Sequence, residues 1–203
     1  YRDAASRRDF TVNSIGYDLL TKTLLDPFDG LGDIKHKILR HVGPAFTEDP
    51  LRVLRAMQFS ARLEFKIAPE TVQLCKTLDL AELSKERIFE EFRKLLLKAK
   101  RPSIGLEAAK ILGILAYFPE LKALIGVPQD PKWHPEGDVW THTLLVLDEA
   151  ADLRKGNEKM DLEQALERGC LWIDDSEKKP KTYHDLDCYI RDNINKKVPL
   201  DGP

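Results

Sequence analysis

Between Glu48 and Phe65, apolar side chains recur at helical spacing on nearly every side. At about 100° per residue, Leu51, Leu54, Met57, Ala61 and Phe65 share one side of a helix. Val53, Ala56, Ser60 and Leu63 cover much of the other. One narrow strip remains, carrying Glu48, Arg52, Arg55 and Arg62 with Phe59 among them. A helix apolar over most of its circumference is largely buried, so that strip faces either solvent or a ligand. Its start is well marked. Asp49 suits the N-cap, Pro50 the first helical position, and acidic side chains the positive end of the helix dipole.

The pattern differs on either side. Over residues 1–43 it predicts the end of an α/β unit. Asp9 caps a short helix through Tyr17, residues 24–26 form a short strand, residues 27–32 a turn, and residues 38–42 a second strand. After Gly43-Pro44 the chain reads as helical throughout. A helix is predicted over 69–78, with Pro and Glu in its first turn. Ser84 caps another in which Ile88, Phe89, Phe92, Leu95 and Leu96 recur at helical spacing. A further helix spans 102–116 and stops at Phe118-Pro119. Residues 127–137, rich in Pro, Asp and Gly, form a loop before an apolar helix over 139–153 that holds His142. A last helix is expected over 163–169. No solenoid repeat and no low-complexity tract occurs.

With 203 residues there is room for one domain or two small ones. The 32 basic and 34 acidic side chains leave a net charge of −2, so any grip on RNA must be local. Cys75, Cys170 and Cys188 are odd in number and far apart. They fit a reducing cytoplasm better than a disulfide frame or a zinc site. No apolar run is long enough for a membrane span, and the first residues do not form a signal peptide.

Three motifs change the picture: Arg7-Arg8-Asp9-Phe10-Thr11-Val12-Asn13, then Asp26-Pro27-Phe28-Asp29-Gly30, then Glu48-Asp49-Pro50-Leu51-Arg52. In this order they resemble the class II tRNA nucleotidyltransferases, which include CCA-adding enzymes and bacterial poly(A) polymerases. In that family an Arg-Arg-Asp motif precedes Glu-Asp-x-x-Arg at about this separation. The resemblance runs from about Arg7 to about Asp148. Lys132-Trp133-His134-Pro135-Glu136, followed by His142-Thr143, is similar to the CCA-adding subgroup that carries an HD domain.

The resemblance implies a mainly α chain in three parts. Residues 1–43 are the C-terminal part of an α/β nucleotidyltransferase head, 44–126 a helical neck that reads the nucleotide, and 127–203 part of an HD-like helical body. It implies that Arg8 contacts the nucleotide's phosphates and Asp9 its ribose hydroxyl. Asp49 and Arg52 read the base, and Arg55 supports them or reaches the triphosphate. A forked guanidinium suits phosphate oxygens, and a carboxylate suits a hydroxyl donor. Ser84-Lys85-Glu86-Arg87, with Glu91 and Lys94, resembles a family motif that braces the reading helix. Asp26, Asp29, Gly30 and Asp33 match the family's mobile-loop region, where three carboxylates serve a turn or a cation.

The implied activity is template-independent addition of C and A to the 3′ end of tRNA from CTP and ATP, in the cytoplasm. Two Mg2+ ions in the complete enzyme activate the nucleophile and stabilise the leaving group. The carboxylates that hold them, and a glycine-rich loop, are expected upstream of Tyr1. The chain opens without methionine, as a fragment would, and alone it is expected to be inactive. Oligomeric state is left open.

Plainer readings fit the same residues. Glu48 and Arg52 stand at i,i+4 and make a solvated ion pair. Arg7-Arg8-Asp9 serves as a surface charge cluster with a capping aspartate, and the segment from Ser84 as a capped, charge-paired surface helix. Poly(A) tailing shares the motifs, and a non-catalytic RNA- or protein-binding helical module fits the missing carboxylates. Gln58 stands where many relatives carry a further arginine. In HD phosphohydrolases a histidine placed like His142 is the first metal ligand, completed by a His-Asp pair. Here that pair is only His184-Asp185, and one histidine is not a site. No phosphatase or phosphodiesterase activity is therefore expected. From about residue 160 the sequence departs from the family, with Trp172 and Tyr189 as packing residues.

Overall fold

A computed structural model describes residues 1–154. The expectations for residues 163–169, Cys170, Trp172, His184, Asp185, Cys188 and Tyr189 lie outside the described residues. Tyr1–Asp148 forms one compact unit, and a second begins at Glu149. The described part is mostly helical, with four short strands.

The first unit opens with helix α1, Arg2–Ser6, and a 3-10 turn at Thr11–Asn13. Strand β1, Gly16–Asp18, then pairs antiparallel with β2, Thr23–Leu25. The continuous helix expected from Asp9 to Tyr17 does not form, because tertiary contacts hold Phe10 extended and only the 3-10 turn follows it. Phe10 is wholly buried, edge-on to Phe46 at 5.7 Å and to Phe59 at 5.8 Å between ring centres. Thr11 N donates to Arg40 O (2.9 Å), and Val42 N donates to Asp9 O (3.2 Å). The buried Thr11 hydroxyl donates to Asp33 Oδ2 at 2.7 Å.

A second difference follows at once. Where a turn was expected over 27–32, helix α2 begins, Gly30–His36. Asp26 explains it: its carboxylate accepts from Gly30 N (2.7 Å) and Leu31 N (2.8 Å), satisfying donors that a helix start leaves free. Asp33 is engaged by Thr11 and by Arg40 Nε at 3.2 Å. Two of the three neighbouring carboxylates are thus structural.

Strand β3 is shorter than expected, Ile38–Leu39, and pairs parallel with β4, Lys66–Ile67. Between them runs α3, Leu51–Leu63, the helix whose pattern dominates the sequence. Val53, Leu54, Ala56, Met57, Ser60 and Ala61 are buried, while Arg52, Arg55 and Arg62 stay partly exposed on the charged strip. Pro50 takes the N-cap position in place of the expected Asp49, which stands extended one residue earlier and still accepts from Leu51 N through Oδ1 at 3.1 Å.

Helices α4, Pro69–Cys75, α5, Lys85–Lys98, and α6, Pro102–Ile111, follow. The Ser84 hydroxyl accepts from Arg87 N (3.4 Å), starting α5 where predicted. Helix α6 ends before 116 because Gly113 takes a left-handed conformation, φ 82°, that other residues adopt at a cost. A 3-10 turn, Ile114–Tyr117, and α7, Pro119–Lys122, lead into the expected loop and α8, Val139–Arg154.

Helix α3 packs chiefly on α5 and α6. Polar anchors tie α8 to α6: Trp140 Nε1 donates to Glu107 Oε1 (2.6 Å), and the Ser103 hydroxyl donates to Asp148 Oδ2 (2.6 Å). Among the described residues no helix is long and apolar enough to cross a membrane.

Candidate nucleotide-binding site

Two adjacent residues on one segment meet two on α3. Burial of Phe10 fixes the backbone beside it, and Phe59 lies one turn after Arg55. Asp9 and Arg55 are therefore brought together by the same aromatic contact. Arg55 Nε donates to Asp9 Oδ2 at 2.6 Å. The other Asp9 oxygen accepts from Phe10 N (2.9 Å) and Asn13 Nδ2 (3.1 Å), so this 7 % exposed carboxylate is fully oriented. Two guanidinium groups lie against the Phe59 ring, Arg55 at 5.2 Å and Arg62 at 5.3 Å from its centre.

Arg52, one turn before, does not pair with Glu48. It donates through Nη1 to Ala45 O and through Nη2 to Arg7 O at 2.8 Å. Asp49 Oδ2 accepts from Arg87 Nη2 at 2.7 Å, across to α5. This contact ties the segment from Ser84 to the start of α3. Further along α5, the buried Glu91 pairs with Lys94 at 2.7 Å. Gln58 is buried. Its oxygen accepts from Arg62 at 3.2 Å, and it lines no part of the cleft.

All five predicted nucleotide-binding residues, Arg8, Asp9, Asp49, Arg52 and Arg55, line one open cleft of about 410 Å3, together with Arg7, Asn13 and Leu51. Arg7 and Arg8 are exposed on its rim. Four arginines and two aspartates give the cleft a positive excess in a chain whose net charge is −2. Both aspartates are already held by arginine, and such an arrangement receives an anion more readily than a hard cation. The residues present therefore do not fit a magnesium site.

A larger cavity, about 560 Å3, lies among α3, α6 and α8, with a mostly apolar surface from residues such as Phe65, Ile104, Ile111 and Leu144 and polar groups that include Arg101, Glu107 and Asp148. None of the predicted residues reaches it.

His142 has company that the sequence reading did not anticipate. His134 and Glu136, from the loop before α8, converge on it. Sequence reasoning missed both because they were read as part of a family signature and not as donors. The spacing His-x-Glu followed by His was the available signal.

Poly(A) polymerase head domains match residues 1–40, and the domain described as the probable RNA- and SrmB-binding site of polymerase A matches residues 64–125. The chain belongs to the family of tRNA nucleotidyltransferases and poly(A) polymerases. A multifunctional CCA protein of Stenotrophomonas maltophilia (strain R551-3) is 48% identical over 162 residues, 75% of this chain and 39% of that protein. The one of Aliivibrio salmonicida (strain LFI1238) is 48% identical over 153 residues, 71% and 37%. The chain thus spans about two-fifths of the length of these curated relatives. A tRNA-processing enzyme solved in an apo form superposes with a TM-score of 0.52 at 31% identity, covering 80% of this chain and 42% of that one.

Proposed function

We propose that this chain carries the nucleotide-selecting part of an enzyme that adds C and A to tRNA 3′ ends from CTP and ATP. The supporting observation is the convergence of Asp49, just before α3, and Arg52, in its first turn, on the cleft that Arg8, Asp9 and Arg55 share. In the complete cytoplasmic enzyme the tRNA 3′-hydroxyl attacks the α-phosphate. An O–P bond forms, the bond to the β-phosphate breaks, and pyrophosphate leaves. Magnesium belongs to that reaction, and Asp9 and Asp49, each paired with an arginine, do not hold it. In this reading residues 1–43 end the head, 44–126 form the neck, and 127–203 begin an HD-like body.

Base choice follows from hydrogen-bond polarity. Cytosine and adenine each present an amino donor beside a ring-nitrogen acceptor. Asp49 accepts from the amino group and Arg52 donates to the ring nitrogen, so one pair of side chains serves both bases. Two of the five Arg52 N–H groups are already occupied by carbonyls, which fixes the plane of the fork and leaves three for a ligand. Each Asp49 oxygen keeps a lone pair beyond its contacts to Leu51 N and Arg87. Uracil and guanine present a carbonyl to the carboxylate and an N–H to the guanidinium. Each mismatch costs about 1–3 kcal/mol, and the two together give roughly 30-fold to 10⁴-fold discrimination. Arg8 and Arg55 take the triphosphate, and Asp9 the ribose hydroxyl.

The test uses the full-length protein containing this segment, with Asp49→Ala and Arg52→Ala assayed on all four nucleotides. Preference for CTP and ATP over UTP and GTP should fall by at least tenfold, on the order of one lost hydrogen-bond mismatch. Wild-type discrimination in both folded variants would reduce the strip to an ion-paired surface. Supplying tRNA that lacks its 3′ end with mixed nucleotides separates CCA addition, which stops, from poly(A) tailing, which runs on with ATP.

A further inference from the structure

We propose that the cavity among α3, α6 and α8 is a binding site for a small amphipathic carboxylate, one acid group on an aliphatic or aromatic body. All of its lining lies within Tyr1–Asp148. It shares no lining residue with the nucleotide cleft and stands independently of the nucleotide reading.

The walls are helix faces that the core leaves over. On α6, Gly105, Leu106 and Ala109 are buried, while Ile104, Ala108 and Ile111, at i, i+4 and i+7, form a further stripe that lines the cavity. On α8 the same spacing brings Thr141, Leu144, Leu145 and Asp148 to it. Phe65 and Ile67, after α3, and Val72 of α4 add a third wall. Ile111 is 54 % exposed and Leu145 49 %, so apolar surface stands open to water around the cavity. Covering such surface is favourable, and an apolar body gains by entering. The volume, about 560 Å3, falls within the ~300–1,000 Å3 usual for small-molecule sites.

The ionisable groups decide the head. Lys66, Arg101, Glu107 and Asp148 line the cavity, and their formal charges cancel. Their hydrogen bonds do not balance. Asp148 accepts from Ser103 N (2.9 Å), the Ser103 hydroxyl (2.6 Å) and Arg101 Nε (3.3 Å). Glu107 Oε1 accepts from Trp140 Nε1 at 2.6 Å. Arg101 uses only Nε. Among the described residues no acceptor meets its two Nη groups or the Lys66 ammonium, and both side chains are exposed. Cationic N–H donors are thus left over beside apolar walls. A carboxylate takes a guanidinium edge through its two oxygens. An ammonium head would find Asp148 already bonded and would meet Lys66 and Arg101 instead. A nucleoside triphosphate would set many polar groups against aliphatic side chains. The Ser103–Asp148 contacts tie α8 to α6 before any ligand arrives, so the site is preformed.

The experiment titrates octanoate into the purified 203-residue chain by isothermal calorimetry. Octanol supplies the body without the acid group, and acetate the acid group without the body. One equivalent of octanoate should bind, at least about tenfold more tightly than octanol, as expected of a hydrogen-bonded charged head. Acetate should not saturate, and CTP should not displace octanoate. Lys66→Gln and Arg101→Gln should each weaken octanoate roughly threefold or more and leave octanol within about twofold. Leu145→Glu, at a half-exposed position, should weaken both. Rising salt should weaken octanoate and spare octanol. Circular dichroism monitors folding. Should Arg101→Gln disturb α8 through Asp148, Lys66→Gln carries the decision. Absence of saturable binding, octanol binding as tight as octanoate, displacement by CTP, or full octanoate affinity in folded Lys66→Gln or Leu145→Glu would overturn the proposal.

Discussion

Asp9 shows how little freedom a site residue keeps once its neighbours are packed. The carboxylate accepts from Phe10 N, Asn13 and Arg55, and a fully buried phenylalanine holds the backbone next to it. A hydroxyl donor approaching Asp9, such as the ribose hydroxyl proposed above, would meet an acceptor that is already aimed, so little entropy is lost on ordering it. His41 is restrained in the same region with a different consequence. Its backbone N–H donates to Thr71 Oγ1 at 3.1 Å, and its Nδ1 lies 2.8 Å from the same oxygen. The hydroxyl, having accepted from the backbone, donates its own proton to an unprotonated Nδ1. Burial, followed by the Arg40 charge, lowers the His41 pKa from its ordinary 6.5. Because the folded value lies below the unfolded one, this contribution to stability is complete above pH 6.5. It is lost as pH falls from there through the folded value. Acidifying from about pH 7 to pH 5 should lower the Tm of the wild-type chain more than that of His41→Gln. Parallel melting curves at every pH would show that His41 titrates normally.

At the scale of elements, α3 was the most legible part of the molecule because burial, cap and charged strip are all written locally. The start of α5 was legible for the same reason, with Ser84 in the N-cap. What escaped was set by distant partners. Phe46 and Phe59 hold Phe10 out of a helix, and β4 forms where Lys66 N reaches Lys37 O at 2.9 Å and Ala68 N reaches Leu39 O at 3.0 Å. The start of α2, by contrast, rests on Asp26 only four residues away. The Arg87–Asp49 contact joins α5 to the extended residue before α3, and no periodicity reports it. Close approach of helices is equally hidden. A methyl group at Gly105 of α6 would stand 3.1 Å from Met57 O on α3 and nearer still to Leu95 of α5. Helix propensity alone favours alanine there by about 0.8–1.0 kcal/mol, but overpacking costs about 1–3 kcal/mol. Gly105→Ala should therefore destabilise the chain, on balance by roughly 1 kcal/mol in a denaturant titration. A gain in stability would mean that α6 yields and the three-helix contact is looser than its geometry implies.

At the scale of the whole molecule, the proposed nucleotide cleft and the core that supports it belong to the same unit. Arg8, Asp9, Asp49, Arg52 and Arg55 all fall within Tyr1–Asp148, as do the buried residues that run from Phe10 to Trp140. The charge argument points the same way. Near-neutral overall, the chain gathers four arginines against two aspartates at this cleft, a local positive excess that favours an anionic ligand. Nucleotide binding should then survive removal of residues 155–203, a cut that leaves α8 whole. A chain ending at Arg154 should melt in one cooperative transition and bind CTP within about a factor of two of the 203-residue chain. That factor is the ~0.3–0.5 kcal/mol expected between uncoupled regions. Arg8→Ala in either chain should weaken CTP binding, and rising salt should narrow the difference because the guanidinium is exposed. Isothermal titration at two salt concentrations measures both effects. If the shortened chain still melts cooperatively yet no longer binds CTP, the cleft is not self-sufficient and essential contacts lie beyond residue 154.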